Sequence, residues 1–334
     1  MPAQHALIPG ELFPVTHSVL SASALLTRIE TDYDIGGAEE CILLKRWMND
    51  TYLVRTTVGK YILRVYRAGW RSLAEISFEL ELLQHLDREG VRVSTPLLNR
   101  DGGHTFALNA PEGTRYAVLF SYATGAPLTI DLEQIGRFGS MVAQMHCAMD
   151  GFVSLRSRFQ LDLDYLIDRP LRAVDRFLRD RSEDARYLEG LARRVKQRIE
   201  RFAKCGLEAG VLHGDVWEGN AHVDADGRIT LFDFDFCGHG WRVYDLAVFH
   251  MAMRARQANP ALVGSFLKGY TCHRRIADID REAIPWFVAA RDLWHLGLHI
   301  GNGQDWGFGW MDRPYLDRRV QAMRDWDRVH LCPA

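Results

Sequence analysis

Asp215, Asn220 and Asp233 are the residues whose types and spacing suit chemistry most directly. They lie in the stretch 211–245, VLHGDVWEGNAHVDADGRITLFDFDFCGHGWRVYD. An apolar pair, Val211-Leu212, runs into His213-Gly214-Asp215, and Asn220 follows five positions after Asp215. A short run with apolar Ala221 and Val223 meets the turn signal Asp224-Ala225-Asp226-Gly227. A second run, residues 228–232, leads to Asp233. Asp-Gly between two strand-like runs predicts a hairpin. Folding it returns the chain on itself, so Asp233 lands beside Asn220, with Asp215 one loop length from both.

Two carboxylates and an amide converging at such an edge suit phosphoryl transfer. Asn220 and Asp233 offer the hard oxygens that Mg2+ prefers, and Mg2+ retains waters and binds nucleotide phosphates. Asp215 is then left to accept a proton from an attacking hydroxyl. One Asp that orients the nucleophile, and an Asn and a second Asp that hold metal, is the division of labour of kinase chemistry. In its His-Gly-Asp form, and in Tyr244-Asp245-Leu246-Ala247 further on, the stretch resembles the aminoglycoside phosphotransferase, choline kinase and homoserine kinase type II superfamily. The resemblance spans residues 40–320, with its specificity concentrated between His213 and Asp245. It implies an α+β, bilobal protein-kinase-like fold, with a small antiparallel-sheet N-lobe and a larger, mainly helical C-lobe. The cofactors implied are ATP and Mg2+.

The elements that must position these residues are legible in outline. Residues 1–38 read as an N-terminal extension with one short helix, SASALLTRIE, capped by Ser21. Residues 39–122 form the N-lobe that covers the nucleotide, and 123–334 the C-lobe with the catalytic loop and acceptor site. Runs 41–44, 51–56 and 60–66 are rich in β-branched and aromatic residues and predict a meander. Its first hairpin, residues 46–51, lacks glycine, and Asn49 and Asp50 stand where a phosphate-covering loop belongs. They serve equally as turn formers. Residues 73–89 form a helix with an apolar stripe through Ile76, Leu80, Leu83 and Leu86. Strands around 104–108 and 115–121 lead to a hinge after Ser121-Tyr122. From residue 131 onward the pattern is helical.

By the resemblance, Arg64 occupies the place of a strand Lys that contacts the α- and β-phosphates, and Glu79 is the helix acid that pairs with it, with Glu81 competing. Arg delivers the same charge through a planar fork, a different geometry from Lys. Backbone near Ser121 and Tyr122 is implied to bind adenine. His146, at the end of the 132–149 helix, and Asp245, in the first turn of the next helix, are implied to be structural supports of the catalytic loop. Glu218, Asp235, Trp306 and Trp310 are weak candidates for the acceptor site. The acids would favour a cationic or amine-bearing acceptor, and Arg242 and Arg291 point the other way. The two tryptophans sit in the Gly-rich stretch 301–310, and serve equally as packing anchors.

Composition bounds the rest. Of the 334 residues, 47% are apolar, with no run long enough to span a membrane. The first fifteen residues have neither a basic n-region nor a sustained apolar h-region, so no secretory signal is expected. The formal charge is −2 with both signs interspersed, which argues against a nucleic-acid surface. The six cysteines show no paired spacing and fit a reducing cytoplasm.

The reading is an ATP- and Mg2+-dependent phosphotransferase acting on a hydroxyl of an amino alcohol, amino acid, aminoglycoside or sugar. A bacterial Ser/Thr protein kinase of the stress-response type is the alternative, so a protein acceptor stays open. Tyr244 comes only eleven positions after Asp233, which is short for a peptide-binding segment. A catalytically dead nucleotide-binding protein finds support only in Arg64. Oligomeric state is not readable from the chain.

Overall fold

The computed structural model describes residues 13–175, 177–178 and 180–332. It is an α+β chain that divides into two compact units. The described residues up to Leu73 form the first, together with Pro96–Tyr122; Ala74–Thr95 and Ala123 onward form the second.

The first unit is a five-stranded antiparallel sheet with one helix on it. Strands β1 (Ala38–Arg46), β2 (Asn49–Thr56), β3 (Gly59–Tyr66), β4 (Thr105–Ala110) and β5 (Gly113–Ser121) lie in the order β1-β2-β3-β5-β4. Alternation decides the faces: Tyr52 and Val54, Leu63 and Val65, Ala117 and Leu119 point to one side. There they meet Leu25, Ile29 and Tyr33 of α1 (Ala22–Asp32) and close a buried core. Ser21 caps α1 by accepting the Ala24 N–H at 3.4 Å.

The first hairpin differs from the expected one. Its turn is Trp47-Met48, and Asn49 and Asp50 are already the first residues of β2. Both are buried. Asp50 is drawn inward by Arg115 of β5, whose guanidinium donates to it at 2.8 Å, to the Tyr66 carbonyl at 2.9 Å and to the Ser18 carbonyl at 3.0 Å. A buried charge is tolerated when paired in this way, so Asp50 is a sheet anchor and not a loop residue.

The second unit is mostly helical. It holds nearly all of α2 (Leu73–Arg88), then α3 (Leu132–Met149), α4 (Arg169–Asp175), α5 (Ser182–Lys204), α6 (Val243–Ala255), α7 (Ala261–Thr271), α8 (Asp278–Gly301), α9 (Gly303–Trp306) and α10 (Arg313–Trp326). The stretch 301–310, expected as a loop, therefore contains the short α9. Its core runs through Phe138, Phe249 and Phe266, the last two rings stacked at 4.0 Å. Gly139 lets α3 and α7 approach closely, since a Cβ there would stand 2.0 Å from the Phe266 carbonyl oxygen. Burying one such phenyl ring contributes about 1.5–3 kcal/mol. None of the described helices is long and apolar enough to cross a membrane.

Two small sheets in this unit carry the chemistry-bearing stretch. Strand β8 (Ala209–Leu212) pairs antiparallel with β11 (Gly238–Trp241), which also pairs in parallel with β7 (Gln160–Leu161). Strands β9 (Ala221–Val223) and β10 (Ile229–Leu231) form the predicted hairpin, with β6 (Ala126–Pro127) beside β9.

Candidate active site

Strand β8 delivers the chain into the loop 213–217. A turn of 3-10 helix, Glu218–Asn220, then starts β9. The Asp224–Gly227 turn closes as its residue types dictate. The Gly227 N–H bonds the Asp224 carbonyl at 2.9 Å, and the Asp224 carboxylate accepts the N–H groups of Asp226 and Arg228 at 3.0 and 2.9 Å. The hairpin brings the second arm back, so that the Phe232 N–H donates to the Asn220 carbonyl at 3.0 Å. Asp233 follows at once, in the left-handed region at φ 64°, ψ 58°. A non-glycine residue held there carries backbone strain of about 1–3 kcal/mol, the kind that gathers at functional sites.

His213 ties the two arms together. Its Nδ1 accepts the Asp215 N–H at 3.2 Å, so the ring proton is on Nε2, which donates to the Phe232 carbonyl at 3.1 Å. Asp245 holds the same loop from below. Its carboxylate accepts the backbone N–H groups of His213 at 2.9 Å and Gly214 at 2.8 Å. It also accepts Nε2–H of His146 at 2.9 Å. With its proton on Nε2, the neutral His146 ring takes the Tyr270 hydroxyl proton at Nδ1, 2.8 Å away. Burial pushes His146 below the ordinary imidazole range. Burial acts to raise the Asp245 carboxyl, yet the bonds from His146 and the His213 amide hold it below the usual carboxylate range. The pair is therefore a carboxylate and a neutral imidazole. Gly214 is required by its φ of +80°, and a Cβ there would stand 2.2 Å from the Phe236 carbonyl oxygen.

The Asp215 carboxylate is gripped on both oxygens. Asn220 donates its amide Nδ2–H to Oδ2 at 2.9 Å and to the Asp215 carbonyl at 2.9 Å. Oδ1 accepts from Arg291 of α8. Because the Asn220 amide nitrogen is committed to Asp215, the Asn220 Oδ1 is the atom left to bind a cation. Asp233 follows Phe232, whose N–H meets the Asn220 carbonyl, and an Asn oxygen and a carboxylate are hard donors of the kind that a cation such as Mg2+ would take. Among the described residues no group of three or more His, Cys, Asp and Glu is arranged to hold a metal.

The remaining expected site residues are placed as follows. Glu218 is buried and spent on Arg256, whose Nε donates to it at 2.7 Å while the guanidinium lies over Trp217. Asp235 is buried in the turn after Asp233, and its carbonyl accepts from Arg158 at 2.6 Å. Arg242 is also consumed internally, on Asp150 and Glu208. Trp306 and Trp310 gather around His299, at ring separations of 6.0 and 5.1 Å, with Tyr315 completing the cluster. In the first unit, Arg64 lies over the rings of Phe120 and Tyr66 at 5.1 and 5.8 Å. Asn49 has a buried side-chain oxygen without a hydrogen-bond partner. Ser121 ends β5, and Lys60 sits 5.7 Å over the Tyr122 ring. Glu79 is fully buried in α2, in the second unit.

Two supports were invisible to sequence reasoning. Arg291 was read only as a basic neighbour, although it bonds Asp215. Arg158 donates to the carbonyls of Cys237 at 2.6 Å, Asp235 at 2.6 Å and Glu75 at 2.8 Å, which pins the chain just past Asp233. Neither belongs to a local pattern: Arg291 lies 76 positions from Asp215, and Arg158 lies more than seventy from each carbonyl it holds.

Comparison with known proteins shows the family and the fold. The family model described as "Phosphotransferase enzyme family" matches residues 41–283. An uncharacterized protein of Deinococcus radiodurans is 38% identical over 95% of this chain and 93% of its own. A homoserine kinase of Brucella anthropi is 29% identical over 71% of each chain. Among solved structures, an amicoumacin kinase in complex with AMP-PNP, Ca2+ and its ligand superposes with a TM-score of 0.75 at 20% identity, covering 94% of this chain and 96% of that one. A microcompartment-associated aminopropanol kinase gives 0.71 at 24% identity, covering 91% and 95%. At these identities the structural likeness establishes the kinase-like fold.

Proposed function

Because the chain belongs to the phosphotransferase enzyme family, we propose that it moves the γ-phosphate of ATP, with Mg2+, to a hydroxyl of a small amine-bearing molecule. Amino alcohols, amino acids and aminoglycosides are the classes in view. The observation that carries this reading is the Asp215 carboxylate, fixed between Asn220 and Arg291, with the hairpin setting Asp233 next to Asn220.

Asp215 receives the hydroxyl of the acceptor and orients it toward the phosphorus. Its lone pairs not used by Asn220 and Arg291 take the hydroxyl proton. Asn220 Oδ1 and the Asp233 carboxylate would hold the cation, which when bound neutralises charge on the transferring phosphate. His213 keeps Asp215 and Asp233 in one frame, and Asp245 keeps the loop backbone still. In phosphoryl transfer little covalent work falls to the protein, so rigid placement of this kind is the main contribution it can make. Arg64, Ser121 and Tyr122 are given the nucleotide-side roles that the resemblance implies. The names of relatives support the acceptor class: homoserine and aminopropanol each join an amine to a hydroxyl.

The test is a coupled ADP-release screen against ethanolamine, 1-amino-2-propanol, choline, homoserine, aminoglycosides and sugars, beside transfer of labelled phosphate to a protein panel. One small acceptor is expected to stimulate ADP release, and Asp215→Ala is expected to abolish the stimulation while ATP binding persists. Full activity in Asp215→Ala, or transfer to protein alone, would overturn the reading.

A further inference from the structure

We propose that Arg291 is the positioning residue of the transfer reaction, the group that sets the angle at which Asp215 meets the acceptor hydroxyl. This rests on the role given to Asp215 above and extends it to a residue 76 positions away.

Arg291 sits mid-way along α8 and is buried. One of its terminal nitrogens donates to Asp215 Oδ1. The other donates to the Gly214 carbonyl at 3.2 Å and the Tyr244 hydroxyl oxygen at 3.1 Å. The guanidinium lies 4.2 Å from the Trp294 ring centre, which fixes its plane. Opposite, Asn220 occupies the second carboxylate oxygen at 2.9 Å. A carboxylate held by one donor can swivel about its Cβ–Cγ bond. Held by two donors on different oxygens, it cannot. One lone-pair direction on each oxygen is left, and the acceptor must use it.

The arrangement is not what stability alone would select. The Arg291 Nε–H is buried without a hydrogen-bond partner. A buried ion pair is often no more stabilising than apolar residues of the same volume, so a buried guanidinium with one N–H unpaired needs another reason to be there. Burial works against its charge, but Tyr244 and Asp215 outweigh burial and keep it protonated. The fork is also needed geometrically. Arg291 spans the Gly214 carbonyl and the Asp215 carboxylate at once, thereby fixing backbone and side chain of the loop together. A lysine is a point charge and can serve one of them well.

The experiment compares Arg291→Lys and Arg291→Ala with the unaltered protein, using Mg-ATP and the best acceptor from the screen, or acceptor-free ADP release with water as nucleophile. Arg291→Lys keeps the charge and most of the volume. It is expected to lower kcat about 10-fold, and Arg291→Ala about 100-fold, the scale on which misplacement of a reacting group by an ångström is felt. The KM for ATP and the melting temperature of the lysine variant stay unchanged. Guanidinium at millimolar, non-denaturing concentration is expected to restore part of the kcat of Arg291→Ala by refilling the space. Unaltered kcat in Arg291→Lys overturns the proposal. So does a loss that tracks unfolding or ATP affinity and is not rescued, because that marks a merely structural arginine. Asp215→Ala runs alongside: if it remains active, the reading of Asp215 fails, whatever Arg291 does.

Discussion

Replacing Asp245 with Asn should unsettle the catalytic loop without touching any group in it. The carboxylate is fully buried and accepts three hydrogen bonds, from the Gly214 amide on one oxygen and from the His213 amide and His146 on the other. Asn is nearly isosteric but has a single acceptor oxygen. Its better orientation keeps that oxygen where two donors converge and turns the NH2 toward the Gly214 N–H. Two charge-assisted bonds then become neutral ones, a loss of about 1 kcal/mol each, and the Gly214 N–H is left buried and unpaired at about 1–3 kcal/mol. Relief of the desolvation cost of a buried carboxylate offsets part of this. The net expectation is a loss of about 2–3 kcal/mol in urea unfolding at pH 7. Function should fall further than stability. Gly214 precedes Asp215, and a shift of that peptide by an ångström costs about 100-fold in kcat. Urea titration gives the first quantity, and ADP release well below the unfolding midpoint gives the second. A variant within about 0.5 kcal/mol of the unaltered protein and with undiminished kcat would show that the Asp245 bonds neither hold nor align the loop.

Other substitutions test separate parts of the argument. Gly214→Ala introduces a Cβ 2.2 Å from the Phe236 carbonyl at a φ of +80°, so activity should fall by more than 10-fold while secondary structure by circular dichroism is retained; an active variant would show that the loop can move without penalty. Asn220→Ala and Asp233→Ala should each raise the Mg2+ concentration needed for half-maximal ADP release, Asp233→Ala more strongly because it removes charge. An unchanged Mg2+ requirement in both counts against the donor set. His250 is held neutral by burial, with its pKa lowered to about 4. The unfolded chain binds that proton near pH 6.5, so the contribution of His250 is intact above pH 6.5 and is lost as pH falls from 6.5 toward 4, at about 1.4 kcal/mol per pH unit. Urea midpoints from pH 7 to pH 4.5 should therefore slope downward, and less steeply in His250→Gln. An identical slope in the variant assigns the effect to other groups.

The parts of the site that were legible in the sequence are those made by short-range geometry. Asp-Gly at 226–227 demands a tight turn, a tight turn demands pairing of the flanking runs, and pairing sets Phe232 opposite Asn220, with Asp233 next along the chain. Every step is local, so one sequence suffices. The first hairpin forms within 46–51, but not with the turn its residue types suggest. Asn49 and Asp50 are turn-prone types, but Trp47-Met48 makes the turn, because Arg115 in β5 captures Asp50 and pulls it into the strand. That arginine lies 65 positions away and leaves no local trace. Glu218, a weak candidate for the acceptor site, has one carboxylate oxygen bonded by Arg256 at the end of α6, a partner 38 positions away.

What stayed hidden follows from where rigidity comes from. The reacting groups come from one contiguous stretch, because a hairpin and a loop can bring them together. Their fixed orientation comes from elements far away in the chain: His146 on α3 and Asp245 on α6, which the resemblance implies, and Arg158 before β7 and Arg291 on α8, which nothing in the sequence marks. A loop cannot immobilise its own carboxylate, since its backbone is free to move with it. Most of the groups that immobilise it stand on packed helices, whose positions are fixed by cores elsewhere. Arg158 and Arg291 are each a single polar residue without spacing or periodicity to mark it. A motif search over one sequence finds the groups that would react. The groups that would make them react quickly emerge only when each oxygen of Asp215 and of Asp245 is followed to its donor.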